Sequence, residues 1–298
     1  VAARILSEAG ARVAVLDEQQ RAGGQFLRQP PAAFRVSGWL TSALYTRGKE
    51  ALAAIEDAPA IDWHFGTVIH GLFRDGDHWR IWASNETGMI DMRARRVLVA
   101  TGCYDMPAPF PGWTLPGVMS AGGIQTFIKS PQILPGKRFA LSGSHPLLLV
   151  LADQIIKAGG EIATLCLTQS LAGSLGLLKA PVVMAENPGK FMATAKIMLR
   201  LRAAGVPIRF ESAITRAHGA DSVTAVTVSR LRGGLPDPES GETVQCDAVG
   251  TCYGFLASSE LARAAGAEAV WDLPRGGWIL PADGTQQSSL PGLYLAGE

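Results

Sequence analysis

The 298-residue chain lacks most of the signals that would tie it to nucleic acid, membrane or metal. Its formal charge is only +1, and no basic stripe with interleaved aromatics runs through it. A phosphate backbone therefore finds no electrostatic footprint. Long apolar runs are also missing. The longest, residues 146–152, is far short of the ~20 residues a membrane-spanning helix needs, and no secretory signal is visible. Cysteine is scarce: Cys103, Cys166, Cys246 and Cys252 include no C-x-x-C pair. They read as free thiols in a reducing compartment, which makes a cytoplasmic location the expectation. His64, His70, His78 and His218 have no metal-ligand spacing, and no Ser-His-Asp pattern stands out, so no metal is expected and no catalytic residue can be named.

What is present is core-forming material. Hydrophobic residues make up 47% and charged residues 18%, so the chain can bury a core and is not disordered. At ~150 residues per domain the length suggests two domains. The 34 glycines exceed the usual share and fit tight turns and close approach of backbone to a ligand.

Local patterns give the order of elements. Residues 1–10 read as a helix ending at Gly10, and 12–16 as a short strand ending at Asp17-Glu18. That order is the second half of a β-α-β unit, whose first strand and glycine turn are expected to precede Val1. Residues 38–56 look helical. Residues 62–72, 78–83 and 89–93 alternate like antiparallel strands. Residues 97–100 do not alternate and read as a fully buried parallel strand. It stops at Thr101-Gly102 and runs into Pro107, Pro111 and Pro116, which can continue neither helix nor central strand.

A helix over 120–129 is followed by a strand at 137–141, the turn SGSHP, a helix at 146–158 and a strand at 162–167. This is a second β-α-β start. Residues 170–205 are helix-rich, with Met184 to Met198 as a core-facing stripe. Strands at 223–230 and 243–249 flank the polar loop RGGLPDPESG. A helix at 258–265 and a strand at 292–296 close the chain. Trp113, Trp271 and Trp278 read as core or rim packing.

These pieces in this order resemble a known group. DEQQRAGGQ, ATGCYDMPAPFPGWTLPGVMSAGGIQ, SGSHPLLLVLADQIIKAGGE, CYGFLASSELARAAGAE and SLPGLYLAGE are similar to segments of the two-dinucleotide-binding-domain flavoproteins of the glutathione-reductase type. Within that group the likeness is to the FAD subunits of opine oxidases, bacterial hydrogen cyanide synthase, and D-hydroxyproline and proline dehydrogenases, and to the sarcosine oxidase alpha subunit. The resemblance implies an α/β chain of two Rossmann-like, three-layer domains, the second inserted into the first. The FAD-binding domain would be 1–116 with 245–298. The NAD(P)-binding-like domain would be 117–244.

It also implies a set of FAD contacts. An acid at the end of the strand 12–16 accepts hydrogen bonds from ribose hydroxyls; Asp17 and Glu18 both qualify and the sequence does not choose. Gly23, Gly24 and Gln25 would let backbone meet the cofactor. Val68, Ala100, Thr101 and Gly102 would lie beside the flavin nucleotide. Gly297-Glu298 stands where the group has Gly-Asp, an acid that holds the ribityl chain. With the first strand and the final helix expected outside residues 1–298, this piece alone is expected to hold FAD weakly or not at all.

The second nucleotide motif departs from a working one. Gly143-Ser144-His145-Pro146-Leu147-Leu148 puts His145 and Leu148 at the second and third glycine positions of G-x-G-x-x-G, and the strand 162–167 ends in Thr168 with no carboxylate. NAD(P) binding is therefore not expected. The resemblance implies a subunit of a hetero-oligomeric amino-acid, opine or imino-acid dehydrogenase or oxidase, oxidising a C–N bond. A partner subunit would hold the small-molecule substrate, and this one would serve electron transfer or assembly. The alternatives are an NAD(P)H-dependent flavin reductase and a non-catalytic structural subunit or incomplete chain.

Overall fold

The computed structural model describes residues 1–30, 33–34, 43–56, 60–170 and 188–297. In chain order the first elements are α1 (Ala2–Glu8), β1 (Val13–Asp17), α2 (Ala43–Glu56), β2 (Ile61–Phe65), β3 (Val68–Asp75), β4 (His78–Asn85), β5 (Gly88–Ala94), β6 (Val97–Val99) and β7 (Cys103–Asp105). Then come β8 (Val118–Ser120), α3 (Ala121–Lys129), β9 (Arg138–Gly143), α4 (Leu147–Lys157), β10 (Glu161–Leu167), α5 (Pro188–Ala203), β11 (Ile208–Phe210) and β12 (Ser212–His218). The remainder is β13 (Ala225–Arg232), β14 (Leu235–Pro236), β15 (Glu242–Gln245), β16 (Ala248–Cys252), β17 (Phe255–Ala257), α6 (Glu260–Ala264), β18 (Val270–Asp272), β19 (Gly277–Ile279) and β20 (Leu293–Leu295).

The chain is mixed α/β and divides into two compact units, Val1–Tyr104 with Leu256–Glu298, and Asp105–Phe255. The second is inserted in the first, and its limits take in residues 105–116 and 245–255, which the sequence reading assigns to the first.

In the first unit α1 ends as expected at Gly10, with the Ala11 N–H bonded to the Leu6 carbonyl at 3.0 Å and the Gly10 N–H to that of Ser7 at 2.9 Å. The expected strand at 62–72 is in fact two. Gly66 and Thr67 separate β2, which pairs in parallel with β1, from β3, which opens the antiparallel sheet β3-β4-β5. Alternation could not show this, because half-buried parallel and antiparallel strands alternate alike. β6 pairs in parallel with β20 in the register Val97↔Leu293, Leu98↔Tyr294, Val99↔Leu295. It is not fully buried: Val99 is 6% exposed but Leu98 is 39% exposed. Leu72, Trp79, Ile81, Val99, Ala262 and Leu293 form the core under these strands.

The second unit is built on a five-stranded parallel sheet in the order β11-β10-β9-β16-β8. β9 and β16 are central, and their residues are almost wholly buried, as parallel strands covered on both faces require. The segment 243–249 is likewise divided: β15 joins the antiparallel sheet through β13, while β16 enters the parallel one. Ala140, Cys166, Ile214, Val226 and Val249 belong to the cluster that packs the two sheets together. Pro111 and Pro116 lie within this unit, their carbonyls accepting the N–H groups of Ala217 and Val223 at 2.9 Å each. Of the expected core stripe from Met184 to Met198, Met192 is 60% exposed and Ile197 and Met198 are only partly buried, while Met184 lies outside the described residues; just past the stripe Leu201 is fully buried.

α5 is held to α4 by an ion cluster instead. The Asp153 carboxylate, its side chain 7% exposed, meets Arg200 Nε at 2.5 Å and Lys157 Nζ at 2.7 Å. Burial pushes this carboxyl up, but the hydrogen bonds from Arg200 and Lys157 outweigh it and hold it below the usual range. Stability drawn from it is present above the unfolded value near 3.9 and lost as pH falls through the lower folded value. Arg200→Met is expected to lower the unfolding free energy by about 2 kcal/mol, less than the ~3–5 kcal/mol of a fully buried pair because Arg200 is partly exposed and Lys157 remains. Urea unfolding near neutral pH measures it, and an unchanged midpoint would show the cluster to be idle.

Candidate functional site

Two strand ends define the site, both in the first unit. β6 and β20 run parallel, so their C-terminal ends fall together, and the Ala296 N–H extends the ladder to the Val99 carbonyl at 3.0 Å. Past these ends the backbone turns through Gly102, at φ +72°, and Gly297, at φ +104°. A Cβ at Gly297 would lie 3.9 Å from the Gly102 Cα, so the two glycines are neighbours. Positive φ excludes most side chains, and the result is a bare main-chain ledge. Ala100 and Thr101 are exposed on the same segment.

Hydrogen bonds fix the ledge from below. Thr101 Oγ1 donates to the Ser258 carbonyl at 2.6 Å, and the Ser258 N–H donates back to the Gly102 carbonyl at 2.8 Å. Ser258 was not marked by the sequence, since its partners are 156 and 157 positions away. From the glycine loop, Gln25 Nε2 donates to the Cys103 carbonyl at 2.5 Å.

That loop is organised by another residue the sequence did not mark, Glu56 at the end of α2. Its carboxylate takes the Ala22 N–H at 2.9 Å, Gln29 Nε2 at 2.9 Å and Arg21 Nη2 at 3.1 Å. Gly23 is needed by the loop itself, because a Cβ there would meet the Leu27 carbonyl oxygen at 2.5 Å. Gly24 faces open space. Thus Gln25, Gly102 and Gly297 come together, and Gly24 leaves the loop backbone bare.

Asp17, Glu18 and Val68 gather at the end of β1. The Thr67 N–H bonds to the Asp17 carbonyl at 2.9 Å, which brings the exposed Val68 to the same end. The two acids differ. Glu18 is exposed, whereas Asp17 is half-buried and accepts the Gln19 N–H at 2.9 Å. Close by, Arg28 Nη1 donates to Gln19 Oε1 at 3.0 Å, while Arg28 Nε and Trp63 Nε1 are buried with no partner among the described residues. Orphaned buried donors ask for an explanation. A strand-end carboxylate, free buried donors and a side-chain-free ledge together fit a dinucleotide. Glu298 lies outside the described residues. No group of His, Cys, Asp or Glu among the described residues could hold a metal ion.

In the second unit the glycine turn has a different use. Gly143 has φ +155°, and a Cβ there would overlap the Cys252 carbonyl, which also accepts the Ser144 and His145 N–H groups at 3.0 and 3.3 Å. His145 packs on Phe255 at 4.3 Å between ring centroids, Ser144 Oγ donates to the Tyr253 carbonyl at 2.6 Å, and Gln169 Nε2 donates to the Ser144 carbonyl. The turn is thus committed to contacts within its own unit. Two of the four thiols are equally quiet: burial pushes Cys166 and Cys246 up to about 11. Trp271 and Trp278 are exposed and pack edge-on at 5.4 Å, and Trp113 is exposed as well, so none is core.

Comparison with known proteins gives the family and the fold. The family model described as pyridine nucleotide-disulphide oxidoreductase matches residues 1–298. The chain belongs to that family. It is 31% identical over 299 residues to the hydrogen cyanide synthase subunit HcnB of Pseudomonas aeruginosa, covering 98% of this chain and 62% of the relative. It is 29% identical over 299 residues to one of the opine oxidase subunits of Rhizobium meliloti, covering all of this chain and 63% of the relative. The sarcosine oxidase alpha subunit of Rhizobium meliloti is 24% identical, with 99% of this chain and 26% of the relative covered. The chain therefore spans less than two thirds of these relatives. Among solved structures, an L-proline dehydrogenase from P. horikoshii superposes with TM-score 0.66 at 18% identity, over 99% of this chain and 47% of the other. Thioredoxin reductase of T. acidophilum gives 0.64 at 15%, over 99% and 84%. At such identities these two share the fold, one of Rossmann-type units.

Burial pushes the Asp17 carboxyl up, against the Gln19 N–H that pulls it down. A carboxyl raised on folding favours the folded state fully below its unfolded value, and that contribution is lost as pH rises through the folded value. Asp17→Asn is therefore expected to raise the thermal midpoint at pH 7, with the gain shrinking toward about pH 4. Circular dichroism at both values checks it; a variant less stable at pH 7 would reverse the reading.

Proposed function

We propose that this chain is the FAD-binding component of a multi-subunit oxidoreductase that oxidises the C–N bond of an amino acid, opine or imino acid. The observation that carries the reading is the adjacency of Gly102 and Gly297 at two parallel strand ends. FAD bound there would supply a two-electron acceptor for such a bond. The chain's own residues bind and orient it. Asp17 takes the ribose hydroxyls, ahead of the exposed Glu18. Gly24, Ala100, Thr101 and Gly102 let the cofactor pass over main chain, Gln25 locks the loop to the ledge, and Val68 and Gly297 border it.

Support for the substrate class comes from the relatives, which are subunits of an opine oxidase, a hydrogen cyanide synthase and a sarcosine oxidase. That they are subunits also supports a hetero-oligomer in which a partner holds the substrate and this chain serves electron transfer or assembly. No described helix is long and apolar enough to cross a membrane, and we place the assembly in the cytoplasm. NAD(P) is not part of the reading: His145 and Gln169 occupy the turn where its pyrophosphate would need bare backbone, and β10 ends without a carboxylate.

The test is the protein isolated from its own source with whatever subunits accompany it. It is expected to carry flavin absorbance, bleached by an amino acid, opine or imino acid without oxygen and not by NADH. Gly102→Val is expected to lose the flavin. Asp17→Asn is expected to weaken FAD about tenfold, the loss of one charged hydrogen bond. Flavin retained in Gly102→Val, or rapid bleaching by NADH, overturns the assignment.

A further inference from the structure

At the other end of the same two strands the chemistry is opposite. Arg95 and Arg96 lead into β6, and Pro291 and Gly292 lead into β20. Here a concave site of about 290 Å³ opens to solvent, lined by Arg74, Arg95 and Arg96 together with Asp77, Gln287 and Tyr294. Three guanidiniums face a single carboxylate. None of the three makes an ion pair among the described residues. Their potential partner Asp75 is taken by Arg93 at 2.8 Å, and Asp91 by Arg80.

The wall behind them is rigid. Arg74 Nη1 donates to the Pro291 carbonyl at 2.8 Å and its guanidinium lies 5.4 Å from the centroid of the Trp79 ring, itself 1% exposed. Trp79 Nε1 donates to the same carbonyl at 3.3 Å. The Gly292 carbonyl accepts the Val97 N–H at 2.9 Å, and the Gly292 N–H bonds to Gln287 Oε1 at 3.0 Å. Like charges are thus crowded against a fixed backbone with no internal counter-charge beyond Asp77, an arrangement that an external anion relieves. Guanidinium forks match planar and tetrahedral oxyanions. A carboxylate answers one fork; a multiply charged phosphate group presents acceptors toward all three.

We propose that this pocket binds a phosphate-bearing anion of pyrophosphate size, either free or as the diphosphate end of a nucleotide. The site does not depend on the cofactor reading, since it lies at the N-terminal ends of β6 and β20. Gly102 lies six positions beyond Arg96, which at ~3.3 Å per extended residue puts the two places roughly 15–20 Å apart.

Equilibrium titration of the protein with inorganic pyrophosphate and with ADP, at low salt, tests this. Saturable binding is expected, weakened about tenfold by each of Arg95→Ala and Arg96→Ala. Both positions are exposed, so the variants should keep the parent's circular dichroism. Asp77→Asn removes the only carboxylate among the described residues that line the pocket and is expected to tighten binding, a gain that damage to the fold would not give. ADP binding at least tenfold tighter than pyrophosphate identifies the nucleotide as the source; equal affinities identify the free anion. Saturating FAD should leave pyrophosphate binding intact. Displacement by FAD, or affinity unchanged in the double arginine variant, overturns the proposal.

Discussion

The pairing of β6 with β20 is the constraint on which the first unit depends. These are three-residue strands, from distant parts of the chain, and their register sets what lies at either end. A slip of β20 by one residue would turn the buried Leu293 toward solvent and Tyr294 inward, while Val99 of β6 stayed in the core. The core contacts of Trp79, Leu72 and Ala262 therefore hold the register, and the register in turn brings Gly102 and Gly297 side by side. Packing that contains no functional group thus determines where the functional backbone lies.

In the second unit the fold stands without help from any ligand. The parallel sheet is fully formed, and Phe139, Leu141, Leu148, Leu151 and Leu165 are completely buried. None of that burial requires a ligand. The turn after β9 keeps its first glycine because the Cys252 carbonyl leaves no room for a Cβ, which is a requirement of the sheet. The second glycine position answers to a pyrophosphate and the third to close packing of helix on strand, and those are the ones that carry His145 and Leu148. A β-α-β pattern therefore reports a stable architecture; occupancy has to be argued from the turn.

Much of this was legible in the residues. Long local patterns, such as the helix at 147–157 between two apolar runs, read correctly because their signal is contained within one segment. What failed was non-local. β2 and β3 alternate alike, and only partners distant in sequence make one parallel and the other antiparallel. β11 and β12 gave no signal at all, Glu211 between them taking φ +47° without glycine. The stripe from Met184 to Met198 looked like core, yet Met192 is exposed, and the contacts of that helix come from the buried Leu201 and the charged Arg200. The site divides the same way. Thr101 and Gly102 stand in a recognisable strand-end motif, whereas Ser258 and Glu56 act through spatial neighbours that no spacing announces.

The same reasoning explains why two binding places can share a pair of strands without interfering. Electrostatic influence in water at physiological salt fades over about 8 Å. The core layer of Val99, Leu293 and Trp79 lies between the arginines and the glycine ledge, over a path roughly twice that length. Substitutions that far apart, with no shared partner, are expected to act additively. The ledge asks for uncharged, side-chain-free backbone, and the pocket asks for fixed positive charge. A parallel strand pair can meet both demands because its two ends are chemically independent while its register, set by the core between them, holds each in place.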